Sequence, residues 1–262
     1  MRLSSDQTDA VATRLRAAGC VYAEDEARLV IEAAATTAEL EGLIRRRAGG
    51  EPLEYVVGWA EFCGLRIAVD PGVFVPRYRT QFLAAQAIEL ARDAGPAAVL
   101  LDLCCGSGAI AAAVRAAVDG VEVHAADIDP AAVACARRNL ARATVYLGDL
   151  YAPLPSTLRG RVNVLVANVP YVPTTAIALL PAEARLHEAT TALDGGADGL
   201  AVLRRVVADV ASWLTAGGSV LMEVSDEQAK SAAATYALAG LAARVLRAED
   251  VESSVVIGTR LD

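Results

Sequence analysis

The chain has 262 residues, 55 % of them hydrophobic and 21 % charged, with a formal net charge of −8. That is enough apolar material for one large domain, or a medium domain and a small one, with a sizeable core. The acidic balance and the single lysine, Lys230, argue against a large nucleic-acid footprint, and Cys20, Cys63, Cys104, Cys105 and Cys135 have no spacing that suggests a disulfide framework or a metal site.

Residues 1–6 lack the apolar core of a signal peptide, and no later run approaches the roughly 20 uninterrupted apolar residues of a membrane helix. A cytoplasmic chain in a reducing compartment, with no membrane attachment, is expected. The spacing predicts a helix over 5–19 capped by Ser5, a second over 23–35 with Ala27, Val30, Ile31 and Ala34 on one face, and a third over 37–48 stopped by Gly49-Gly50. Arg45-Arg46-Arg47 reads as the solvated last turn of the third helix, where cations suit the dipole, with a grip on a partner as the lesser alternative. Between residues 51 and 75 the period changes to alternation, with Phe62, Leu65, Ile67 and Val69 around Gly64, as in a β-hairpin joining two domains.

From residue 97 onward strand and helix patterns alternate, which specifies an α/β fold with a doubly wound parallel sheet. Strands are expected at 99–103, 121–126, 144–147, 162–167, 219–224, 242–246 and 254–259. Helices are expected at 109–118, from Asp129-Pro130 to about residue 142, at 200–214 ending on Gly217-Gly218, and near 226–238.

Asp102-Leu103-Cys104-Cys105-Gly106-Ser107-Gly108 follows the first strand and opens a helix, the context that makes a glycine pattern a cofactor hypothesis. Asp127, at the end of the second strand, can accept both ribose hydroxyls of a nucleoside, and Gly148-Asp149 ends the third. NAD would need Gly-x-Gly-x-x-Gly to bring its pyrophosphate onto a helix N-terminus. S-adenosylmethionine has no phosphate, so its loop need only clear an amino-acid moiety, and a six-strand order with a final strand pair suits it as well. A tight βα turn is the bland alternative. Cys104 and Cys105 read as small loop-filling residues rather than redox groups.

The apolar run 164–167 delivers Asn168-Val169-Pro170-Tyr171 at its carboxyl end, where open α/β sheets place their ligands. An Asn amide there contributes nothing to strand packing, which marks it for chemistry.

With these residues in view, the chain closely resembles the release-factor glutamine N5-methyltransferases, the HemK-like family of class I S-adenosylmethionine enzymes. The resemblance rests on Glu51-Pro52-Leu53-Glu54-Tyr55 with Gly58, Glu61-Phe62-Cys63-Gly64, Val75-Pro76-Arg77 with Thr80, Ala192-Leu193-Asp194-Gly195-Gly196 with Asp198-Gly199-Leu200, and Glu223 with Gln228. It implies a helical substrate-recognition domain over 1–50, a β-hairpin linker over 51–80 and a Rossmann-like methyltransferase domain over 81–262. By the same resemblance Asp102, Cys104, Cys105, Gly106, Ser107 and Gly108 surround the methionine part of the cofactor. Asp127 with Ile128 binds the ribose side, Asp149 and Leu150 flank the adenine, and Asn168 joins cofactor and substrate. Asn168-Val169-Pro170-Tyr171 corresponds to the family's Asn-Pro-Pro-Tyr, which receives a glutamine side chain of a protein, a peptide chain release factor in the named family. Departures are Pro76-Arg77-Tyr78-Arg79-Thr80-Gln81 for Pro-Arg-Pro-Glu-Thr-Glu, Cys104 for a loop glycine, Val169 for the first tetrad proline and Ala189 for a proline after Glu188. They suggest a related branch with its own substrate.

An amide nitrogen is a poor nucleophile because its lone pair is delocalised. Two acceptors, the Asn168 side-chain oxygen and the Val169 carbonyl, can bind both amide hydrogens and favour a more tetrahedral, electron-rich nitrogen. Pro170 still holds residue 169 extended, and Tyr171 can wall the pocket against the planar amide. His187 and Glu188 are candidates for substrate contact or for surface and helix-end roles, and His124 reads as structural. The same tetrad would serve an exocyclic amine of a nucleic acid, and a non-catalytic cofactor-binding regulator is a third reading.

Overall fold

The computed structural model describes residues 4–261; the expected domain limits at residues 1 and 262 lie outside the described residues. Four helices come first: α1 (Ser5–Ala17), α2 (Ala23–Ala33), α3 (Thr37–Ala48) and the short α4 (Leu53–Val57). Ser4, not Ser5, caps α1, because its hydroxyl accepts from Gln7 N while the Gln7 side chain accepts from Ser4 N, a reciprocal box. Leu15, Ala27, Val30, Leu40, Ile44 and Val56 pack a core that belongs to these helices alone. α4 has too few residues to show a helical period, so the alternation read across 51–75 concealed it.

Strands β1 (Trp59–Phe62) and β2 (Leu65–Ala68) pair antiparallel around Cys63-Gly64, as the alternation predicted. Their inner face meets the helix α7 (Pro130–Asn139) through Ala60, Val69, Ala132 and Cys135. A helix the pattern did not predict, α5 (Gln81–Ala94), then lays Leu83, Ala84, Ala87 and Ala91 on the sheet.

The sheet has seven strands: β3 (Val99–Leu103), β4 (Glu122–Asp127), β5 (Thr144–Leu147), β6 (Val162–Ala167), β7 (Leu214–Val224), β8 (Leu241–Ala248) and β9 (Ser253–Arg260), in the order β5-β4-β3-β6-β7-β9-β8. It is mixed rather than wholly parallel, since β9 runs antiparallel to both of its neighbours. The physical reason is the short connection from β8 to β9, which fits a hairpin and leaves no room for a crossover helix. Helices α6 (Ala109–Ala117), α7 and α5 cover one face, and α9 (Ala201–Val210) and α10 (Asp226–Leu238) the other. Side chains of β6 alternate between the two layers, Val164 and Val166 to one, Leu165 and Ala167 to the other.

Helix α9 stops at Val210, before the expected end at 214, because Leu214 already belongs to β7. Val162 N donates to the Trp213 carbonyl, and a Cβ on Gly218 would lie 2.7 Å from the Val162 carbonyl, so glycine permits this close approach of β6 and β7. The chain proceeds from β3 outward through β4 to β5, then returns to β6 on the other side of β3. Leu103 is level with Ala126 and with Ala167, so the loops after β3, β4 and β6 leave the sheet side by side at this switch point. No helix among the described residues is long and apolar enough to cross a membrane.

Candidate active site

The three loops open on a cavity of about 930 Å³, near the upper end of the range for small-molecule pockets and roomy enough for a nucleoside ligand beside a second side chain. Cys104, Cys105, Gly106 and Ser107 form one wall, Asp127, Ile128, Asp149 and Leu150 a second, and Asn168, Val169, Pro170 and Tyr171 a third. Asp102 and Gly108, expected at the ligand, sit behind the first wall. Asp102 is 1 % exposed and accepts from Ala111 N at 3.2 Å. Gly108 has φ +76°, and a Cβ there would lie 2.8 Å from the Leu140 side chain, so it serves the packing of loop on helix.

Asp127 holds the loop as well as facing the cavity: its Oδ2 accepts from Gly106 N at 2.8 Å and its Oδ1 from Asp129 N at 2.9 Å. Burial raises the pKa of Asp127, against the pull of those amides. Burial likewise pushes the Asp102 carboxyl up to about 8, with Ala111 N–H opposing and the Asp127 charge adding to the rise. The acidic side chains that do line the cavity, Asp127, Asp129 and Asp149, disfavour a pyrophosphate and favour a cation. S-adenosylmethionine carries a sulfonium, and an amino-acid ammonium group, so the residues present fit it. Ile128 is 58 % exposed despite its apolar side chain and, with Leu150, offers a dry surface for a planar base.

Asp127→Ala should weaken cofactor binding by roughly 1.5–3 kcal/mol, the cost of losing a charged acceptor, measured by calorimetric titration with S-adenosylmethionine; unchanged affinity would remove Asp127 from the ribose assignment. A second outcome concerns Asp102. The folded carboxyl keeps its proton up to about 8, whereas the unfolded one releases it near 3.8, so the folded state binds more protons between those limits. Stability of the ligand-free protein therefore falls as pH rises through that window. Asp102→Asn, which mimics the protonated acid, should flatten this decline in urea midpoints taken from roughly pH 5 to 8. An equally steep decline in the variant would place the effect elsewhere.

At the tetrad, Asn168 Oδ1 is buried without a hydrogen-bond partner, while its Nδ2 makes a long 3.5 Å contact to Thr80 Oγ1. Among the described residues no hydrogen bond reaches the Val169 carbonyl either. Two acceptors of adjacent residues on the cavity wall therefore have no hydrogen-bond partner among the described residues, and for the buried Asn168 Oδ1 that is costly. Tyr171 Oη donates to Glu223 Oε1 at 2.9 Å and accepts from Arg79 Nη2 at 2.6 Å.

The other sequence candidates fall outside the reaction centre. His124 is a buried structural side chain bonded to Tyr146 and Glu122. Glu188 is buried too, accepting from Arg77 and from Val75 N, so it clasps the linker rather than a substrate. Arg47 departs from the solvated reading: it is buried, with Nε 2.5 Å from Glu26 Oε2 and Nη1 2.5 Å from Glu183 Oε1, and Glu183 lines the cavity. Reasoning from local pattern missed this cross-link and the Arg79–Tyr171–Glu223 cluster. For the latter the signal was present, in the unusual arginine at 79 and the acid at 223 within a strand.

A sheet of this order, with a glycine loop after its first strand, a carboxylate after its second and an Asn-led tetrad after its fourth, defines a class I S-adenosylmethionine-dependent methyltransferase. Residues 65–208 match the family model described as Methyltransferase small domain. The release factor glutamine methyltransferase of Geobacter sulfurreducens is 37 % identical over 207 residues, covering 78 % of this chain and 71 % of that protein. The enzyme of the same name from Mycolicibacterium smegmatis is 41 % identical over 194 residues, 72 % of this chain and 67 % of that protein. The fold is also that of the ribosomal protein L11 methylase from Lactobacillus delbrueckii subsp. bulgaricus, at 19 % identity and a TM-score of 0.53, covering 75 % of this chain and 86 % of that one. The chain belongs to the release factor glutamine methyltransferase family, and spans about two thirds of the length of such relatives.

Proposed function

We propose that this chain methylates the side-chain amide nitrogen of a glutamine in a protein substrate, a peptide chain release factor, with S-adenosylmethionine as methyl donor. The carrying observation is the pair of unpaired acceptors, Asn168 Oδ1 and the Val169 carbonyl, at one wall of the cavity. A primary amide offers two N–H donors to such a pair, and its binding would satisfy both oxygens at once. The bound cofactor supplies an electrophilic methyl on a sulfonium. Asn168 and Val169 hold the acceptor nitrogen in line, weaken its resonance with the amide carbonyl and stabilise positive charge as it develops on nitrogen. Tyr171 walls the amide and excludes water. No general base is needed if the cationic nitrogen releases its proton after transfer.

In this reading residues 1–50 recognise the substrate, 51–80 link, and 81–262 carry the chemistry. Two features support a separate helical unit: the first four helices have a core of their own, which reaches past residue 50 to Val56 of α4, and Arg47 joins them to the cavity wall at Glu183. The nucleic-acid reading is not favoured, because the cations lining the cavity, Arg77, Arg79 and Arg205, are paired with Glu188, Glu223 and Asp149 and leave no basic groove. The non-catalytic reading is not favoured by an intact acceptor pair. Isotope-labelled S-adenosylmethionine, incubated with the enzyme and purified unmethylated release factors, should place label on a glutamine identified by mass spectrometry. Label on a different residue type, or only on nucleic acid in whole extract, would overturn the assignment.

A further inference from the structure

The segment Pro76-Arg77-Tyr78-Arg79-Thr80-Gln81 carries an arginine at position 79 where the family pattern has an acid. Arg79 sits in the short helical turn 78–80 before α5, far in sequence from the loop after β6 and from β7, yet its guanidinium reaches both. Nη2 donates to Tyr171 Oη at 2.6 Å and Nε donates to Glu223 Oε1 at 3.1 Å, while Tyr171 Oη itself donates to that same Oε1 at 2.9 Å. The three groups close a ring of hydrogen bonds in which the phenol is donor on one side and acceptor on the other. The guanidinium carbon also lies 5.8 Å from the centre of the Tyr171 ring.

Glu223 is 2 % exposed, and its second oxygen has no partner. A carboxylate so placed cannot stay charged at low cost without a cation, and Arg79 is the cation the structure gives it. A planar fork with several donors can serve the carboxylate and the phenol at once, which a single ammonium on a flexible stem does less well. A side-chain donor fixes the backbone of the same residue: Gln228 Nε2 donates to the Tyr171 carbonyl at 2.8 Å. Tyr171 is thus held at its backbone by α10 and at its hydroxyl by Arg79 and Glu223, leaving the ring one position along the cavity wall.

We infer that Arg79 is a positioning residue for the methyl acceptor: through the Tyr171 hydroxyl it fixes the aromatic wall against which the substrate amide is aligned. This rests on the glutamine reading for its kinetic consequence, though the Arg79–Tyr171 coupling itself is independent of substrate. Among the described residues no hydrogen bond or ion pair joins Arg79 to the cofactor loop, so its loss acts on alignment and not on cofactor affinity. Misplacing a reacting group by about 1 Å can cost on the order of 100-fold in rate, and loss of one of two hydroxyl contacts should cost about tenfold.

The test compares Arg79→Met, Tyr171→Phe and the double variant, using unmethylated release factor as acceptor and S-adenosylmethionine titrations for cofactor affinity. Arg79→Met should lower kcat about tenfold, with KM and cofactor Kd within about twofold of the parent, and should add little to Tyr171→Phe. A full kcat, or the same loss in the Tyr171→Phe background, would overturn the inference. Should Arg79→Met alone unfold, Arg79→Met with Glu223→Gln leaves no unpaired buried carboxylate and is compared with Glu223→Gln in the same way. A second readout needs no turnover: with 13C-labelled tyrosine, the Tyr171 Cζ resonance, which senses donors to the phenol oxygen, should shift in Arg79→Met relative to the parent. An unchanged resonance overturns the positioning role. A parent that leaves the release factor unmodified, with the resonance still dependent on Arg79, instead separates failure of the substrate assignment from failure of this one.

Discussion

Asn168→Ala should remove methyl transfer, lowering kcat by about 100- to 1,000-fold, while S-adenosylmethionine binds within about threefold of its parent affinity. The size reflects the buried acceptor that the side chain supplies. Its Oδ1 is unpaired, so it is already desolvated before the substrate arrives and needs no reorganisation to accept an amide hydrogen. The Val169 carbonyl remains in the variant and retains only half of the recognition. The separation of rate from cofactor affinity comes from geometry. The cavity walls proposed for the ribose and the base follow β4 and β5, whose loops carry Asp127, Ile128, Asp149 and Leu150, whereas Asn168 comes after β6. Steady-state kinetics on unmethylated release factor, with calorimetry for the cofactor, checks both halves. Undiminished kcat would defeat the two-acceptor argument, and lost cofactor affinity would make Asn168 a cofactor ligand first.

The second large effect is on stability. Arg47→Met should destabilise the protein by about 3–5 kcal/mol, read from urea unfolding, because it leaves Glu26 buried and charged without its partner. Arg47 and Glu26 are each only 9 % exposed, so water cannot replace the lost contact. Adding Glu26→Gln should recover much of that loss, since removing both charges avoids the uncompensated one. If the single variant loses less than about 1 kcal/mol, the pair behaves as a solvated surface bridge and the buried assignment is wrong. Because the same guanidinium also donates to Glu183 on α8 (Ala182–His187), the variant should loosen that cavity wall as well.

Much of the site was legible because it is written in short-range chemistry. A strand that must be apolar on both faces, such as β6, ends visibly where Asn168 follows it, and the loop beyond lies at the carboxyl edge of the sheet. Asp129-Pro130 begins α7 because the Asp129 side chain accepts from Ala131 N, a bond made within three residues. Where the local pattern misled, a longer-range constraint prevailed. The arginine run 45–47 has the composition of a solvated helix end, and Arg46 does face outward to Glu51. Its neighbour Arg47 turns inward because Glu26 and Glu183, neither near it in sequence, supply buried acceptors.

By itself the sequence determined the alternation of strand and helix, the loop Cys104-Cys105-Gly106-Ser107-Gly108, the carboxylates at successive strand ends and the Asn168-Val169-Pro170-Tyr171 tetrad, since each arises from backbone propensity and side-chain type over a few residues. Tertiary structure alone decided which of them face the cavity. It set Asp102 and Gly108 behind the wall, joined Arg47 to the cavity rim, and brought Arg79 to Tyr171 and Glu223 across separations of 92 and 144 positions. Such pairings depend on the order in which β6 and β7 return past β3. That order is fixed by burying apolar surface on both sides of the sheet, a property of the folded chain as a whole rather than of any segment of it.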